Sequence, residues 1–174
     1  FYLFHRERVW TPSEGKFIGW ERKRGKLEEL NRLIAGAPAR SGEPQVLVGD
    51  REGLIDIHFV ITLDSDTQLP RDTARRMAET LAHPLNLPRF NPDGKLLPGT
   101  YAIIQPRVSP SLPSATATPF SRTFSDPVGV DPYTKAVSDA YQDLVGAGSY
   151  HGKAIYAPRA FHRVLSDRCP EEWL

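Results

Sequence analysis

Phe59-Val-Ile-Thr-Leu63 is a run of β-forming residues that leads directly into Asp64-Ser65-Asp66-Thr67, two carboxylates separated by one residue. A short apolar run of this kind reads as a strand buried on both faces of a parallel sheet, and ligands of such sheets bind beyond the carboxyl ends of the strands. The strand is expected to extend from Ile55 to Leu63, which places both aspartates at that end. Aspartate is rarely buried unless paired or metal-bound, so the pair points to a hard cation held together with phosphate oxygens. Mg²⁺ or Mn²⁺ suits it, because such ions share their shell between one or two carboxylates, waters and substrate phosphates. The ordinary alternative is a solvated loop after a strand, since D-x-D alone is common by chance.

The rest of the chain sets this strand in an alternation of strands and helices. Phe1-Tyr-Leu-Phe4 reads as a short strand and Trp10-Thr-Pro-Ser-Glu-Gly15 as a turn. Leu27, Leu30, Leu33 and Ile34 keep the spacing of one helical face, with Gly36 and Pro38 as the stop. Val46-Leu47-Val48 is a second short strand. After the aspartates, Pro70 suits the first turn of another helix, whose core face is Ala74, Met77, Ala78 and Leu81 and whose end is Pro84. Tyr101-Ala-Ile-Ile-Gln105 reads as a further buried strand closed by Pro106. Residues 109–127, rich in Pro, Ser and Thr, read as a surface excursion with too few large apolar residues for a core of their own. A helix is expected from Asp131 to about Leu144; Gly146, Gly148 and Gly152 then loosen the backbone before the strand-like Ala154-Ile-Tyr156. No internal repeat is visible. The alternation favours an α/β sheet with parallel members.

At 174 residues the chain is long enough for one domain with a hydrophobic core, and its net charge of +1 gives no overall field to draw nucleic acid or an anionic membrane. Its single cysteine, Cys169, builds neither a disulfide framework nor a thiolate metal site. No window is apolar enough to cross a bilayer, and no signal-peptide pattern is present, so the segment itself is expected to make no membrane contact. The chain opens inside a strand pattern and closes at Glu171-Glu-Trp-Leu174, as expected of a piece of a larger protein.

Two further clusters carry chemistry. In Arg22-Lys-Arg-Gly-Lys26, Gly25 would let the backbone approach a diphosphate, and Lys26 would stand at the entrance to a helix whose N-terminus favours anions. The spacing is not that of a P-loop, and a solvated basic face is the plain alternative. Gly148-Ser-Tyr-His-Gly-Lys153 mixes flexible backbone with an aromatic ring, an imidazole and an ammonium, a combination suited to sugars, with His151 a candidate acid or base. The remaining histidines have no metal-ligand spacing.

The order of these motifs resembles that of nucleotide-sugar-dependent glycosyltransferases of the GT-A fold, particularly the processive inverting type. More closely, Glu21-Arg-Lys-Arg-Gly-Lys-Leu-Glu-Glu-Leu-Asn31, Ile61-Thr-Leu-Asp-Ser-Asp-Thr-Gln-Leu-Pro-Arg71, Gln105-Pro-Arg-Val108, Asp131-Pro-Tyr-Thr-Lys-Ala-Val-Ser-Asp-Ala-Tyr-Gln-Asp143 and Gly152-Lys-Ala-Ile-Tyr156 look like the cyclic β-1,2-glucan synthases. The resemblance covers nearly the whole chain. It implies an α/β, GT-A-like (Rossmann-like), mostly parallel sheet flanked by helices and truncated at both ends. It also implies UDP-glucose as donor, a growing β-1,2-glucan as acceptor, and Mg²⁺ or Mn²⁺ as cofactor. By the same resemblance, Lys26, with Arg24 and Asn31, binds uridine diphosphate; Asp64 sits near ribose and metal, and Asp66 ligates the metal; Gln105, Gly152 and Lys153 line the sugar side. The family's general base and Gln-x-x-Arg-Trp-like motif would follow this chain, and its uracil-holding strand would precede it. The resemblance therefore implies a partial domain, inactive alone, of a membrane-embedded synthase working at the cytoplasmic face of the inner membrane. A truncated sheet exposes an edge, which predicts a homodimer by strand pairing.

Two other classes compete. Haloacid-dehalogenase-type phosphatases also place two aspartates at a strand end, but their pattern wants Thr or Val two places after the second, where this chain has Gln68. A non-catalytic glucan-binding module would use the aromatic and Gly-rich segments without metal or nucleotide.

Overall fold

A computed structural model describes residues 1–20, 22–37, 45–50, 52–106, 110–125, 144 and 152–165. The architecture is mixed α/β, in the order β1 (Leu3–His5), β2 (Val9–Thr11), β3 (Lys16–Ile18), α1 (Arg22–Ala35), β4 (Gln45–Val48), β5 (Val60–Thr62), α2 (Thr73–Ala82), β6 (Ile103–Ile104), α3 (Leu112–Thr116), α4 (Pro119–Phe124), β7 (Ala154–Tyr156) and α5 (Pro158–Leu165). The chain divides into two compact units, one of residues 1–61, 68–104 and 155–174, the other of residues 62–67 and 105–154.

In the first unit, α2 forms as its sequence predicts. Met77 and Leu81 are buried against Ile155 of β7, with Phe59, Ile61, Ala78 and Ile104 packed around them. The helix starts at Thr73, three residues beyond Pro70, because Asp72 takes the left-handed conformation (φ 61°) and a helix cannot propagate through it. It stops before Pro84. His83 is extended (ψ 134°), as the residue preceding a proline must be to avoid the ring.

Helix α1 begins at Arg22, a full turn before the expected Leu27, and its buried residues are Gly25, Glu29, Asn31 and Ile34. Of the four apolar residues read as its core face, only Ile34 is buried; Leu27, Leu30 and Leu33 are half-buried and line a cavity instead. Gly36 ends the helix as read. At φ 67° it closes a Schellman motif, its N–H donating to Leu33 O (3.2 Å) and that of Ala37 to Arg32 O (3.0 Å). Packing of α1 along α5 is reinforced by Tyr156, whose hydroxyl donates to Asn31 Oδ1 at 2.8 Å with both residues fully buried. Tyr156→Phe leaves that acceptor enclosed and unpaired, and is expected to lower stability by about 1–2 kcal/mol in urea unfolding. No loss would show that Asn31 finds another donor.

The strands are shorter than the sequence predicts, and their pairing differs. Residues 52–54 form a 3₁₀ turn and Ile55 is exposed, so the run expected to start at Ile55 is a strand only over Val60–Thr62. Asp56 and His58 interrupt the apolar pattern, the His58 ring lying on the Asp56 carbonyl at 2.8 Å. The expected strand 101–105 contracts to Ile103–Ile104. Beyond the two-stranded pairs β1–β4 and β2–β3, a three-stranded sheet runs in the order β5-β7-β6. The pairs β1–β4, β2–β3 and β6–β7 are all antiparallel, where alternating strands and helices predict parallel ones. A parallel rule applies when a single helix links neighbouring strands; β6 and β7 are separated by the whole of residues 105–153, long enough to return the chain in either direction.

In the second unit, the Pro/Ser/Thr-rich stretch is helical where described, with no residue of α3 or α4 buried. Its polar residues build the helix starts. Ser111 and Thr118 cap α3 and α4, each with proline in the first turn, and Thr118 with Ser121 completes a capping box. Ser125 Oγ donates to Ala115 O at 3.2 Å and ties the two helices together. The helix expected over 131–144 lies outside the described residues except for Leu144, as do Gly146, Gly148 and His151.

Candidate functional site

The carboxylates belong to the second unit, where β5 ends. Thr62 is buried and its hydroxyl lies 3.4 Å from both the N–H and the carbonyl of Ala154, fixing the end of β5 against the start of β7. Two residues beyond Thr62, Asp64 opens a β-turn: its carbonyl accepts from the Thr67 N–H at 3.0 Å. Asp66, the third residue of that turn, is exposed. One residue before Ala154 stands Lys153, and its Nζ meets Asp64 Oδ2 at 2.7 Å. Strand registration and a tight turn thus bring together two residues 89 positions apart. Gly152, beside Lys153, holds φ 78°, a left-handed conformation that favours glycine. Gln105 is exposed just after β6.

This carboxylate pair fits a hard cation in part. Asp64 already accepts a positive charge from the Lys153 ammonium, and Asp66 faces solvent on the same turn. Among the described residues no group of three or more His, Cys, Asp or Glu could hold an ion, so waters or ligand oxygens would have to complete the shell.

The basic cluster belongs to the first unit. A cavity of about 630 Å³ lies between the β1 segment and α1, with Arg8, Arg22, Lys23 and Lys26 around an apolar floor that includes Phe4 and Leu30. Its wall is held by Arg6, whose Nη1 donates to Trp20 O (2.6 Å) and to Glu29 Oε1 (3.4 Å) and whose Nη2 donates to Arg22 O (3.0 Å). Burial raises the Glu29 carboxyl above its ordinary range, and the charge and hydrogen bond of Arg6 oppose that rise. Outside the cavity, Glu14 is pulled below its ordinary range by hydrogen bonds from Lys16 and Arg22.

Placement within this cluster changes two arguments from sequence. Lys26 lines the cavity and is exposed, but α1 begins at Arg22, so the helix-entrance N–H groups belong to residues before Lys26. Gly25 is buried, and a Cβ there would collide with the Trp20 carbonyl and the Arg6 guanidinium. The glycine therefore admits the chain's own Trp20 turn, not a diphosphate. Arg24 is half-buried, and Asn31 is enclosed by its bond to Tyr156. Arg6 and Arg8 have no counterpart among the sequence expectations, because basic residues beside a three-residue strand carry no periodic signal.

No helix among the described residues is long and apolar enough to cross a membrane. No family model matches the chain. The sequence is 42% identical over 172 residues to the cyclic β-(1,2)-glucan synthase NdvB of Rhizobium meliloti (strain 1021). That similarity takes in 98% of this chain but only 6% of the relative's length, so what is shared is a short segment of a much larger protein.

Proposed function

We propose that this chain is a segment of a glycosyltransferase that extends a β-1,2-glucan from UDP-glucose, in a GT-A-like domain of a synthase at the cytoplasmic face of the inner membrane. The observation that carries the reading is the turn at the end of β5, which presents Asp64 and Asp66 together with a cationic partner at 2.7 Å. The near full-length similarity of the chain to a glucan synthase supports it. In this reading Asp66 is the direct ligand of Mg²⁺ or Mn²⁺ and Asp64 its neighbour on the ribose side. A bound divalent cation supplies charge neutralisation on the departing diphosphate. Gln105, Gly152 and Lys153 serve the sugar side. In the first unit, Lys26 and Arg24 provide positive charge for a diphosphate, and Asn31 acts from within the core by fixing α1 through Tyr156. No general base is assigned among the described residues.

The test is calorimetric titration of the chain with UDP and UDP-glucose, with and without Mn²⁺, beside Asp66→Asn. Binding is expected to need Mn²⁺ and to weaken about a hundredfold in the variant, since even loss of an outer-shell partner costs metal sites roughly 10–100-fold. Binding of equal strength in Asp66→Asn, or without the cation, would overturn the reading.

A further inference from the structure

The Lys153–Asp64 contact is short for an ion pair, yet the side chains are 26% and 36% accessible, so water and small ions reach it. The backbone beside both residues is anchored, by the Thr62–Ala154 clamp and by the turn closed on Thr67, and Lys153 reaches Asp64 through a four-carbon stem. An ammonium and a divalent cation at the same carboxylate oxygen repel one another, so occupation by one disfavours the other.

We propose that Lys153 is a resident counter-charge of Asp64: it competes with the divalent cation for that carboxylate and, once displaced, turns its ammonium to the anionic oxygens of the diphosphate. This rests on the reading of Asp64 and Asp66 as a cation site and adds, beside the sugar-side place given to Lys153 above, a role at the diphosphate of opposite sign at two steps. It weakens binding of the cation alone and strengthens binding of the anionic ligand to the loaded site. The two steps are thereby coupled, and by linkage UDP must raise Mn²⁺ affinity by the factor with which Mn²⁺ raises that of UDP.

The experiment compares the wild-type chain with Lys153→Met and Lys153→Arg, following free Mn²⁺ by electron paramagnetic resonance and then titrating UDP at saturating Mn²⁺. Lys153→Met is expected to bind Mn²⁺ about fivefold more tightly without nucleotide. Its affinity for UDP at saturating Mn²⁺ is expected to fall about tenfold, while Lys153→Arg stays near wild type in both. Mn²⁺ binding in Lys153→Met that is unchanged or weaker, with the wild type binding, overturns the competition and leaves the cation site standing. Absence of Mn²⁺ binding from all three chains overturns both. Binding that emerges only in Lys153→Met supports the proposal in its strongest form. Circular dichroism checks folding, and Lys153→Gln replaces the methionine variant if that does not fold.

Discussion

Arg6→Ala is expected to cost about 3 kcal/mol of stability at neutral pH, the low end of what removing one partner of a buried ion pair costs. The Arg6 side chain is 9% accessible, and its guanidinium joins three groups distant in sequence: the Trp20 carbonyl, the Arg22 carbonyl and the Glu29 carboxylate. Removing it takes one donor from each of two carbonyls and the Arg6 charge from an enclosed carboxylate. The pH dependence identifies the carboxylate's share. Glu29 is already held above its ordinary range by burial, with Arg6 opposing; without Arg6 it rises further. A carboxyl raised in the folded state holds its proton more tightly there than in the unfolded chain. Its favourable contribution is complete below the unfolded value, about 4.5, and is lost as pH rises through the folded one. The deficit of Arg6→Ala should therefore be largest at pH 7 and shrink toward pH 4, and adding Glu29→Gln should remove most of that pH dependence. Urea unfolding at both pH values checks this. An identical deficit at each would assign the loss to the Trp20 and Arg22 carbonyls alone.

How far such contacts were legible depends on how local they are. The core face of α2 is legible in Met77, Ala78 and Leu81 because helical spacing registers within ten residues, and both helix stops are legible because Gly36 and Pro84 act on their immediate neighbours. The start of α1 is not legible, because the apolar spacing begins only at Leu27; in the structure Gly25 is a buried helical residue that gives room to Trp20. The β2–β3 hairpin shows in the sequence only as its turn, since three-residue strands carry too little alternation to count. Asp64 and Lys153 each stand out in the sequence, yet as separate parts of a site. Their contact depends on β5 lying beside β7, which no local pattern specifies. Asn31 shows the same limit from the other side: its partner, Tyr156, is 125 residues away, and a polar residue on a helix gives no sign of being fully enclosed.

Leu81→Ala should be about as costly as Arg6→Ala, for a reason that is wholly apolar. Leu81 is fully enclosed and packs with Met77 and Ile155. Truncation removes the transfer free energy of the lost carbons and leaves a cavity that close-packed neighbours fill only in part, which together amount to about 3–4 kcal/mol. Leu81→Met keeps the volume and should cost under about 1.5 kcal/mol. The contrast separates packing from hydrophobicity, since both variants leave an apolar side chain at the site. Unlike the loss at Arg6, neither deficit should vary between pH 4 and pH 7, because no ionisable group is among the residues that pack with Leu81 in this cluster. Urea unfolding of the two variants is the measurement. Equal losses in Leu81→Ala and Leu81→Met would mean that the shape of this core, and not its volume, holds the strand in place.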